Sequence, residues 1–190
     1  MQERPDPQAG ELIRAKDCLL LIVDVQEKLL PAIQGQEQVR QNIVRLGRFA
    51  QIMSLPVLVC EQVKLGPTVP DITAALPGVE PIAKATFNCF GSPEFRAALK
   101  TQRKTRLIIA GIEAHVCILQ TAISGVLEHG WRVQVLMDAT GSRSPRNLEL
   151  ARDRFLQTGV GLSSTEMFLF EALQRAGTEA FTAALPLLKV

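Results

Sequence analysis

The sequence predicts a three-layer α/β/α sandwich built on a mainly parallel, doubly wound sheet. Six short apolar runs alternate with segments of helical periodicity along the 190 residues. Runs that are too short for helices and apolar on both faces are typical of strands buried on both sides of a parallel sheet. The alternation of strands and helices favours right-handed crossovers, which cover both faces of the sheet with helices.

The predicted strands follow one another in chain order and differ in the strength of their pattern. The first is the clearest, because Cys18 to Val23 form six consecutive apolar residues. Strands are predicted at 18–24, 56–60, 79–84, 106–110, 132–138 and 159–162, and the third and the last have the weakest patterns.

Apolar stripes and capping residues mark the predicted helices. The first helix is predicted by a stripe with spacings of three and four, formed by Val39, Ile43, Leu46, Ala50 and Met53. Ser92 and Ser144 each precede a proline, the arrangement of a cap before the first helical position. They predict helices through Leu99 and up to Gly159. Two more helices are predicted at 117–128 and from a cap at Ser164 or Thr165 to about 176.

The length of the chain predicts a single domain. One domain takes about 100–200 residues, and no linker or repeat divides residues 1–190. We expect residues 1–14 to form a loose N-terminal tail. The start of the chain lacks the charged and apolar segments of a signal peptide, so we expect a cytoplasmic protein. No apolar run approaches the roughly 20 residues of a membrane-spanning helix, so we expect no membrane association.

The composition argues against nucleic-acid binding and against a metal or nucleotide cofactor. A formal net charge of +2 provides no basic footprint for nucleic acid. Two histidines cannot form a three-histidine zinc site, and four cysteines without a CxxC pair favour neither a disulfide framework nor a zinc knuckle. The glycine-rich phosphate-binding motifs are absent from the sequence as well.

Polar side chains follow the predicted strands, where parallel sheets bind ligands. These candidates are Asp24, Glu61, Gln62, Lys84, Glu113, His115, Cys117 and Asp138. For Glu61 and Asp138 a plain polar strand end is the leading alternative. Asp24 directly follows the apolar run of the first strand, which indicates a partly buried carboxylate that needs a cation or donors. The alternative for Asp24 is a cap of the next helix.

Cys117 lies at a predicted strand-to-helix junction. There the helix dipole can lower the pKa of a thiol, and free backbone N–H groups can bind an oxyanion. The alternative is a small buried apolar residue, which we expect Cys18, Cys60 and Cys89 to be. His115 precedes Cys117 by two residues, a spacing that points side chains apart on a helix. The best base for the thiol is therefore a carboxylate, Asp24, and Lys84 is the best cation to keep it charged.

Three motifs at strand ends carry a resemblance to a known family. They are Leu19-Leu-Leu-Ile-Val-Asp24-Val-Gln26, the lysine Lys84 after the third strand, and Gly111-Ile-Glu-Ala-His-Val-Cys117 followed by Leu119-Gln-Thr-Ala122. Together they resemble the isochorismatase-like cysteine hydrolases over residues 18–164. Glu61-Gln62 and Leu65-Gly-Pro-Thr-Val-Pro70 are most similar to the isochorismatase domain-containing proteins.

The resemblance implies a fold, a site and a reaction. It implies the strand order 3-2-1-4-5-6, a catalytic triad of Asp24, Lys84 and Cys117, and a cis peptide between Ile112 and Glu113. The backbone N–H groups of Glu113 and Cys117 would form an oxyanion hole. The implied reaction is hydrolysis of a small amide or carbamoyl compound at its C–N bond through a thioester, without a cofactor. The resemblance also implies a homo-oligomer, a dimer or larger.

The sequence departs from two branches of the family, and two alternative functions remain open. Metal-binding nicotinamidases have an aspartate and two histidines after the second strand, whereas residues 61–64 contain no histidine. Isochorismatases proper lack the nucleophilic cysteine and cleave a vinyl ether. The alternatives are therefore such a vinyl-ether hydrolase, which does not need Cys117, or a non-enzymatic scaffold on the same fold.

Two further expectations concern the pocket and the end of the chain. The candidates to line a substrate pocket are Gln26, Glu61, Phe87, Phe90, His115 and Leu119. For Phe87, Phe90 and Leu119, plain core packing is the alternative. The segment 178–190 is apolar for a terminus, and it can dock either on its own domain or on a neighbouring molecule.

Overall fold

The computed structural model describes residues 11–189 and contains a six-stranded parallel sheet. The strands are β1 (Cys18–Val23), β2 (Val57–Gln62), β3 (Ile82–Lys84), β4 (Arg106–Ile112), β5 (Arg132–Gly141) and β6 (Gly161–Ser163). Their order across the sheet is β3-β2-β1-β4-β5-β6. The predicted doubly wound α/β fold and its strand order are confirmed.

Helices cover both faces of the sheet. They are α1 (Gln36–Ile52), α2 (Pro70–Ala75), α3 (Pro93–Thr101), α4 (Leu119–Leu127), α5 (Pro145–Gln157), α6 (Thr165–Leu173) and α7 (Glu179–Leu188). The core on one face contains side chains of α1, α2, α6 and α7, and the core on the other contains those of α3, α4 and α5. The hydroxyl groups of Ser92, Ser144 and Ser164 accept hydrogen bonds from the first turns of α3, α5 and α6, so these three serines are the caps.

The central strand β1 explains why its sequence is apolar without alternation. Leu20 and Ile22 point into the core beneath α1, whereas Leu19, Leu21 and Val23 point into the opposite core. All six residues of β1 are fully buried. A strand with helices on both sides has no solvent-facing residue, which is the physical basis of the continuous apolar run.

Three strands extend beyond the apolar runs that predict them. β2 continues to Gln62, β4 to Ile112 and β5 to Gly141. Backbone pairing does not depend on side-chain polarity, so the parallel ladders continue past the apolar runs, and Ile112 and Ala139 in these extensions are still fully buried. Glu61, Gln62 and Asp138 therefore lie within strands rather than after them, as a correction to the predicted boundaries.

The C-terminal segment docks on its own domain. It forms α7, in which Ala184 and Leu187 are buried in the same core as α1. The guanidinium group of Arg45 on α1 donates hydrogen bonds of 3.0 and 2.7 Å to the carbonyl oxygen of Leu187. These contacts decide between the two expectations for residues 178–189, and Val190 lies outside the described residues.

The described part of the N-terminal segment, residues 11–14, packs against the domain. Ile13 is fully buried, and its backbone N–H donates a 2.7 Å hydrogen bond to a carboxylate oxygen of Glu171. This contact corrects the expectation of a loose tail for residues 11–14, while residues 1–10 of that tail lie outside the described residues. Within 11–189, every helix is too short or too polar to cross a bilayer.

Candidate active site

The pairing register brings three distant parts of the chain to one edge of the sheet. Val23, the last residue of β1, pairs with Gly111 near the end of β4, and β3 ends at Lys84 two positions away in the sheet. Asp24, Lys84 and the segment that carries Cys117 therefore meet at the carboxyl ends of the strands. This edge is where open parallel sheets bind ligands.

Asp24 and Lys84 form a buried ion pair at this edge. The Nζ atom of Lys84 lies 2.8 Å from Oδ2 of Asp24, and neither side chain is exposed to solvent. Asp24 has a positive φ of 56°, a conformation that non-glycine residues rarely adopt, and its N–H donates to the carbonyl oxygen of Cys60 at 2.9 Å. The backbone at the end of β1 thus turns the carboxylate towards Lys84.

Gln62, one of the polar candidates at the predicted strand ends, is a second partner of Lys84, although neither the predicted triad nor the predicted pocket lining includes it. Its Oε1 accepts a 2.8 Å hydrogen bond from Nζ of Lys84, and its Nε2 donates to the carbonyl oxygen of Ala85 at 2.9 Å. Gln26 in turn holds the backbone of Gln62: its Oε1 accepts from the N–H and its Nε2 donates to the carbonyl oxygen, both at 2.9 Å. The sequence signal for Gln62 is its position at the end of β2, directly beside Lys84 in the register.

Cys117 lies in a π-helical turn that leads into α4. The turn spans Ala114–Ile118, and only 5% of Cys117 is exposed. Its thiol lies near the Asp24 carboxyl group, and this proximity lowers the pKa of that group. Oδ1 of Asp24 is buried and has no hydrogen-bond partner among the described residues. Asp24 thus has one oxygen on Lys84 and a second oxygen that remains available as a proton acceptor.

Burial and neighbouring charges shift the pKa values of Asp24 and Lys84. Burial raises the pKa of Asp24 above that of an ordinary carboxyl group, although the charge of Lys84 and hydrogen bonds from Cys117 and the Gln62 backbone oppose this. Burial lowers the pKa of Lys84, but the negative charge of Asp24 outweighs this effect and leaves the pKa above its ordinary value. Asp24 is therefore a stronger base than an exposed carboxylate, next to a lysine that stays protonated.

The thiol of Cys117 differs from the expectation for a helix N-terminus. Burial raises the pKa of Cys117 well above its ordinary value, and the charge of Asp24 raises this pKa further, whereas Lys84 lowers it. This direction is opposite to the lowered pKa expected at a helix N-terminus, because burial and the neighbouring carboxylate both disfavour the thiolate. The resting site holds a protonated thiol beside a base.

Glu113 links the end of β4 to the neighbouring loop. The peptide bond between Ile112 and Glu113 is cis. The carboxylate of Glu113 is buried and accepts a hydrogen bond of 2.9 Å from the backbone N–H of Arg143, and the Arg143 guanidinium lies 3.0 Å from its other oxygen. Just before it, Gly111 has a φ of 128°, and a Cβ atom there would collide with the backbone of Val23.

Comparisons with known proteins agree with this architecture. Residues 18–167 match the model of the Isochorismatase domain. The chain belongs to the isochorismatase family. Isochorismatase domain-containing protein 2 of Danio rerio is 35% identical over 167 residues, which cover 86% of this chain and 83% of that protein.

Solved structures of isochorismatase-like proteins have the same fold. A Caenorhabditis elegans protein described as MAR1 ribonuclease superposes with a TM-score of 0.88 at 30% identity, over 95% of this chain and 93% of that one. YcaC of Escherichia coli, described as an octameric hydrolase of unknown specificity, superposes with a TM-score of 0.85 at 26% identity, over 97% and 94% of the two chains. Membership in the isochorismatase family thus gives this chain a hydrolase fold.

In this isochorismatase-family chain, two of the expected pocket residues hold backbone instead of facing open space. Gln26 is fully buried, and besides Gln62 it donates to the carbonyl oxygen of Gly66 at 2.5 Å. Oε1 of Glu61 accepts hydrogen bonds from the N–H and the hydroxyl of Thr68, at 2.6 and 2.7 Å. Both side chains therefore order the loop that follows β2.

The expected apolar lining residues lie in different surroundings. Phe87 is 53% exposed. Phe90 is buried. Its ring packs edge-on against that of Phe95, with the ring centres 5.4 Å apart, and stacks on the ring of His129, with the ring centres 4.1 Å apart. Leu119 borders a cavity of about 280 Å³ between α4 and α5. Phe90 therefore belongs to the core, in agreement with its alternative reading, and Phe87 is the most accessible of the three.

His115 and Asp138 have partners outside the ion pair. Nδ1 of His115 lies 3.0 Å from the hydroxyl of Ser142. Oδ1 of Asp138 accepts hydrogen bonds from the N–H and the hydroxyl of Thr165 at 2.7 and 3.0 Å, so it secures the first turn of α6. The contacts of Asp138 therefore agree with the alternative stated for it, a polar strand-end residue without a catalytic role.

The other three cysteines are buried and, within residues 11–189, are not grouped with metal-binding side chains. Cys18, Cys60 and Cys89 are fully buried, and all four cysteines are free thiols. Burial raises the pKa of Cys18 to about 12. In the part of the chain that the structure describes, no three His, Cys, Asp or Glu side chains are grouped so that they could hold a metal ion.

Proposed function

We propose that this protein is a hydrolase that cleaves the C–N bond of a small amide or carbamoyl compound through a thioester on Cys117. The observation that carries the proposal is the Cys117 thiol beside a buried carboxylate, Asp24, one oxygen of which is paired with Lys84 at 2.8 Å. A nucleophile, a base and a cation that orients the base are the parts that covalent acyl transfer needs.

In the first step, Asp24 takes the proton of the Cys117 thiol as sulfur attacks the carbonyl carbon. A sulfur–carbon bond forms, and the electron pair of the carbonyl moves to its oxygen. The raised pKa of Asp24 suits this role, since a general base works best when its pKa is near the working pH. Lys84 stays protonated and stabilises the charged forms of Asp24.

In the next steps the tetrahedral intermediate collapses and the thioester is hydrolysed. We propose that the backbone N–H groups of Glu113 and Cys117 stabilise the oxyanion, a contribution of about 10²–10³ in rate for one donor in other enzymes. The C–N bond breaks as Asp24 returns its proton to the leaving amine. Water then adds to the thioester with Asp24 as base, the sulfur–carbon bond breaks, and the proton returns to sulfur. No step requires a cofactor.

The test measures thiol reactivity and turnover with the same variants. Iodoacetamide labelling followed by mass spectrometry should modify Cys117 well before the three fully buried cysteines. Labelling should slow in Asp24→Asn and not in Asp153→Asn, a matched change at an exposed aspartate. A screen of small primary amides and carbamoylated amines, read out as released ammonia or amine, should give turnover that Cys117→Ala abolishes.

Other outcomes of the same experiments favour the alternatives. Equal, slow labelling of all four cysteines together with no turnover would favour a non-enzymatic scaffold. Vinyl-ether cleavage that survives in Cys117→Ala would favour the isochorismatase reaction. Because one structural relative is described as a ribonuclease, RNA is included as a substrate, and its hydrolysis without amide hydrolysis would contradict the proposal.

A homo-oligomer is part of the proposed function. YcaC of Escherichia coli is described as octameric, and α4, α5 and α6 carry exposed apolar side chains, Leu127, Leu150, Leu156, Met167 and Phe170. Light scattering should give a mass of at least twice 20.8 kDa. A mass of a single chain would refute the oligomer.

A further inference from the structure

We infer that Arg143 is a positioning residue for the nucleophile loop, the segment Glu113–Cys117, and that it holds the Glu113 peptide at the angle that oxyanion binding needs. The inference rests on the proposed function, since it assigns Arg143 a part in the same acyl transfer. Arg143 belongs to the loop between β5 and α5, a different part of the chain from the proposed triad.

Arg143 engages both oxygens of the Glu113 carboxylate. Its backbone N–H donates to Oε2 at 2.9 Å, and its guanidinium nitrogen Nη2 lies 3.0 Å from Oε1. The Glu113 side chain is 4% exposed, whereas that of Arg143 is 63% exposed. A buried carboxylate requires such partners, and charged donors make the stronger hydrogen bonds.

The backbone carbonyl group of Glu113 is engaged as well. Its carbonyl oxygen accepts hydrogen bonds from the N–H groups of Val116 at 3.1 Å and Ile118 at 3.3 Å, which start the π-helical turn. The carbonyl oxygen belongs to the peptide that follows Glu113, whereas the N–H of Glu113 belongs to the peptide that precedes it. Because the side chain and the following peptide are both held, rotation about the N–Cα bond that joins the preceding peptide to Glu113 is restricted. The direction of its N–H is therefore set by Arg143 and by the turn.

A second contact joins the same two loops. Nδ1 of His115 lies 3.0 Å from the hydroxyl of Ser142, the residue before Arg143. The carbonyl oxygen of Ser142 accepts a hydrogen bond from the N–H of Gln34 at 3.3 Å, so the loop after β5 is itself anchored. The nucleophile loop is thus attached to a fixed support at two side chains, and the contact with Arg143 is the charged one.

The experiment uses two reagents to distinguish the reactivity of the thiol from the contribution of the oxyanion hole. Iodoacetamide alkylates sulfur by displacing iodide, and no charge develops on a carbonyl oxygen. p-Nitrophenyl acetate acylates sulfur through a tetrahedral oxyanion: the sulfur–carbon bond forms, p-nitrophenolate leaves, and the thiol proton passes to Asp24. In Arg143→Gln we expect the acylation rate to fall about tenfold, since a 1 Å misplacement can cost about 10² in rate. Alkylation of Cys117 should change less than twofold.

Two further variants control for charge and for folding. Arg143→Lys keeps the positive charge without the planar fork and should recover part of the acylation rate. Arg146→Gln removes a neighbouring arginine that pairs only with the exposed Glu149 among the described residues, and it should leave both rates unchanged. Circular dichroism on each variant verifies that the fold is retained.

Each outcome bears on one of the two proposals. Unchanged acylation in Arg143→Gln, or acylation and alkylation that fall together, would overturn the positioning role of Arg143. A wild-type protein whose Cys117 is not acylated at all would overturn the proposed function, and the role of Arg143 with it. A selective loss of acylation with partial rescue by lysine supports the inference.

Discussion

The Nζ atom of Lys84 lies 2.8 Å from Oδ2 of Asp24, and both side chains are completely shielded from solvent. Taking two charges out of water is expensive, and replacing a buried ion pair by apolar residues of similar volume is often neutral or stabilising. The pair is therefore weak evidence for a stabilising role. Its position beside Cys117 at the ligand-binding edge of the sheet is better explained by chemistry.

Removing the cation should affect both stability and reactivity. In Lys84→Met, Asp24 remains buried without its charged partner, and we expect the free energy of unfolding to fall by about 3–5 kcal/mol. The pKa of Asp24 should rise further, so that the carboxyl group is protonated and iodoacetamide labelling of Cys117 slows at neutral pH. Lys100→Met, at an exposed lysine on α3, is the control. Equal denaturation midpoints for the two variants would contradict the prediction.

Alkaline pH should destabilise the protein through Lys84. The pKa of Lys84 is raised in the folded state, mainly by the charge of Asp24, although burial opposes this. The stability from this lysine is fully present below its unfolded pKa of about 10.4 and is lost as the pH rises through the higher folded value. Urea titrations above pH of about 10.4 should therefore show a decline that is steeper than in Lys84→Met. Parallel declines would show that other groups cause the loss.

The alkylation of Cys117 should depend on pH in a way that reports the raised pKa values. Because burial raises the pKa of Cys117, the rate should keep rising towards alkaline pH instead of reaching a plateau at neutral pH. On the acid side, burial raises the pKa of Asp24, so the rate should fall at a higher pH than for an ordinary carboxylate. Measuring the iodoacetamide rate against pH tests both the acidic and the alkaline part of this dependence. A plateau at neutral pH would indicate that Cys117 is a thiolate there and would contradict its raised pKa.

Gly111 should not tolerate a side chain. It has a φ of 128°, and an added Cβ would collide with the carbonyl oxygen of Val23 in the neighbouring strand. We expect Gly111→Ala to cost more than about 4 kcal/mol, the range of severe core defects. Gly130→Ala is the matched control, because Gly130 also has a positive φ but nothing lies within 4 Å of its added Cβ. Thermal unfolding of both variants compares them, and similar melting temperatures would refute the steric argument.

Gln62 should tune Lys84 without being part of the triad. Gln62→Met removes the 2.8 Å acceptor of Lys84 and leaves the ammonium group with one fewer partner. We expect a loss of about 1–3 kcal/mol in stability and slower labelling of Cys117. Gln41→Met removes an exposed glutamine whose amide reaches only the exposed Glu37 among the described residues, so it should be close to neutral. If Cys117 is labelled in Gln62→Met at the wild-type rate, the role of Lys84 does not depend on Gln62, and the prediction is wrong.

Much of the fold could be predicted because it depends on local signals. The burial of β1 follows from its six-residue apolar run, and the starts of α3, α5 and α6 follow from Ser92, Ser144 and Ser164. The strand boundaries do not follow from local signals. β5 extends to Gly141 because its backbone pairs with β4, and such pairing leaves no trace in the hydrophobic pattern.

The sequence by itself determined the strand order through its resemblance to a family, and it also placed Asp24, Lys84 and Cys117 at the ends of strands that share one edge. Only the tertiary structure decided that burial raises the pKa of Cys117, that Gln62 is a partner of Lys84, and that Arg143 binds the carboxylate of Glu113. The physical reason is that a pKa depends on burial and on charges from distant parts of the chain. Residues 22 or 30 positions apart become partners only after the sheet has assembled.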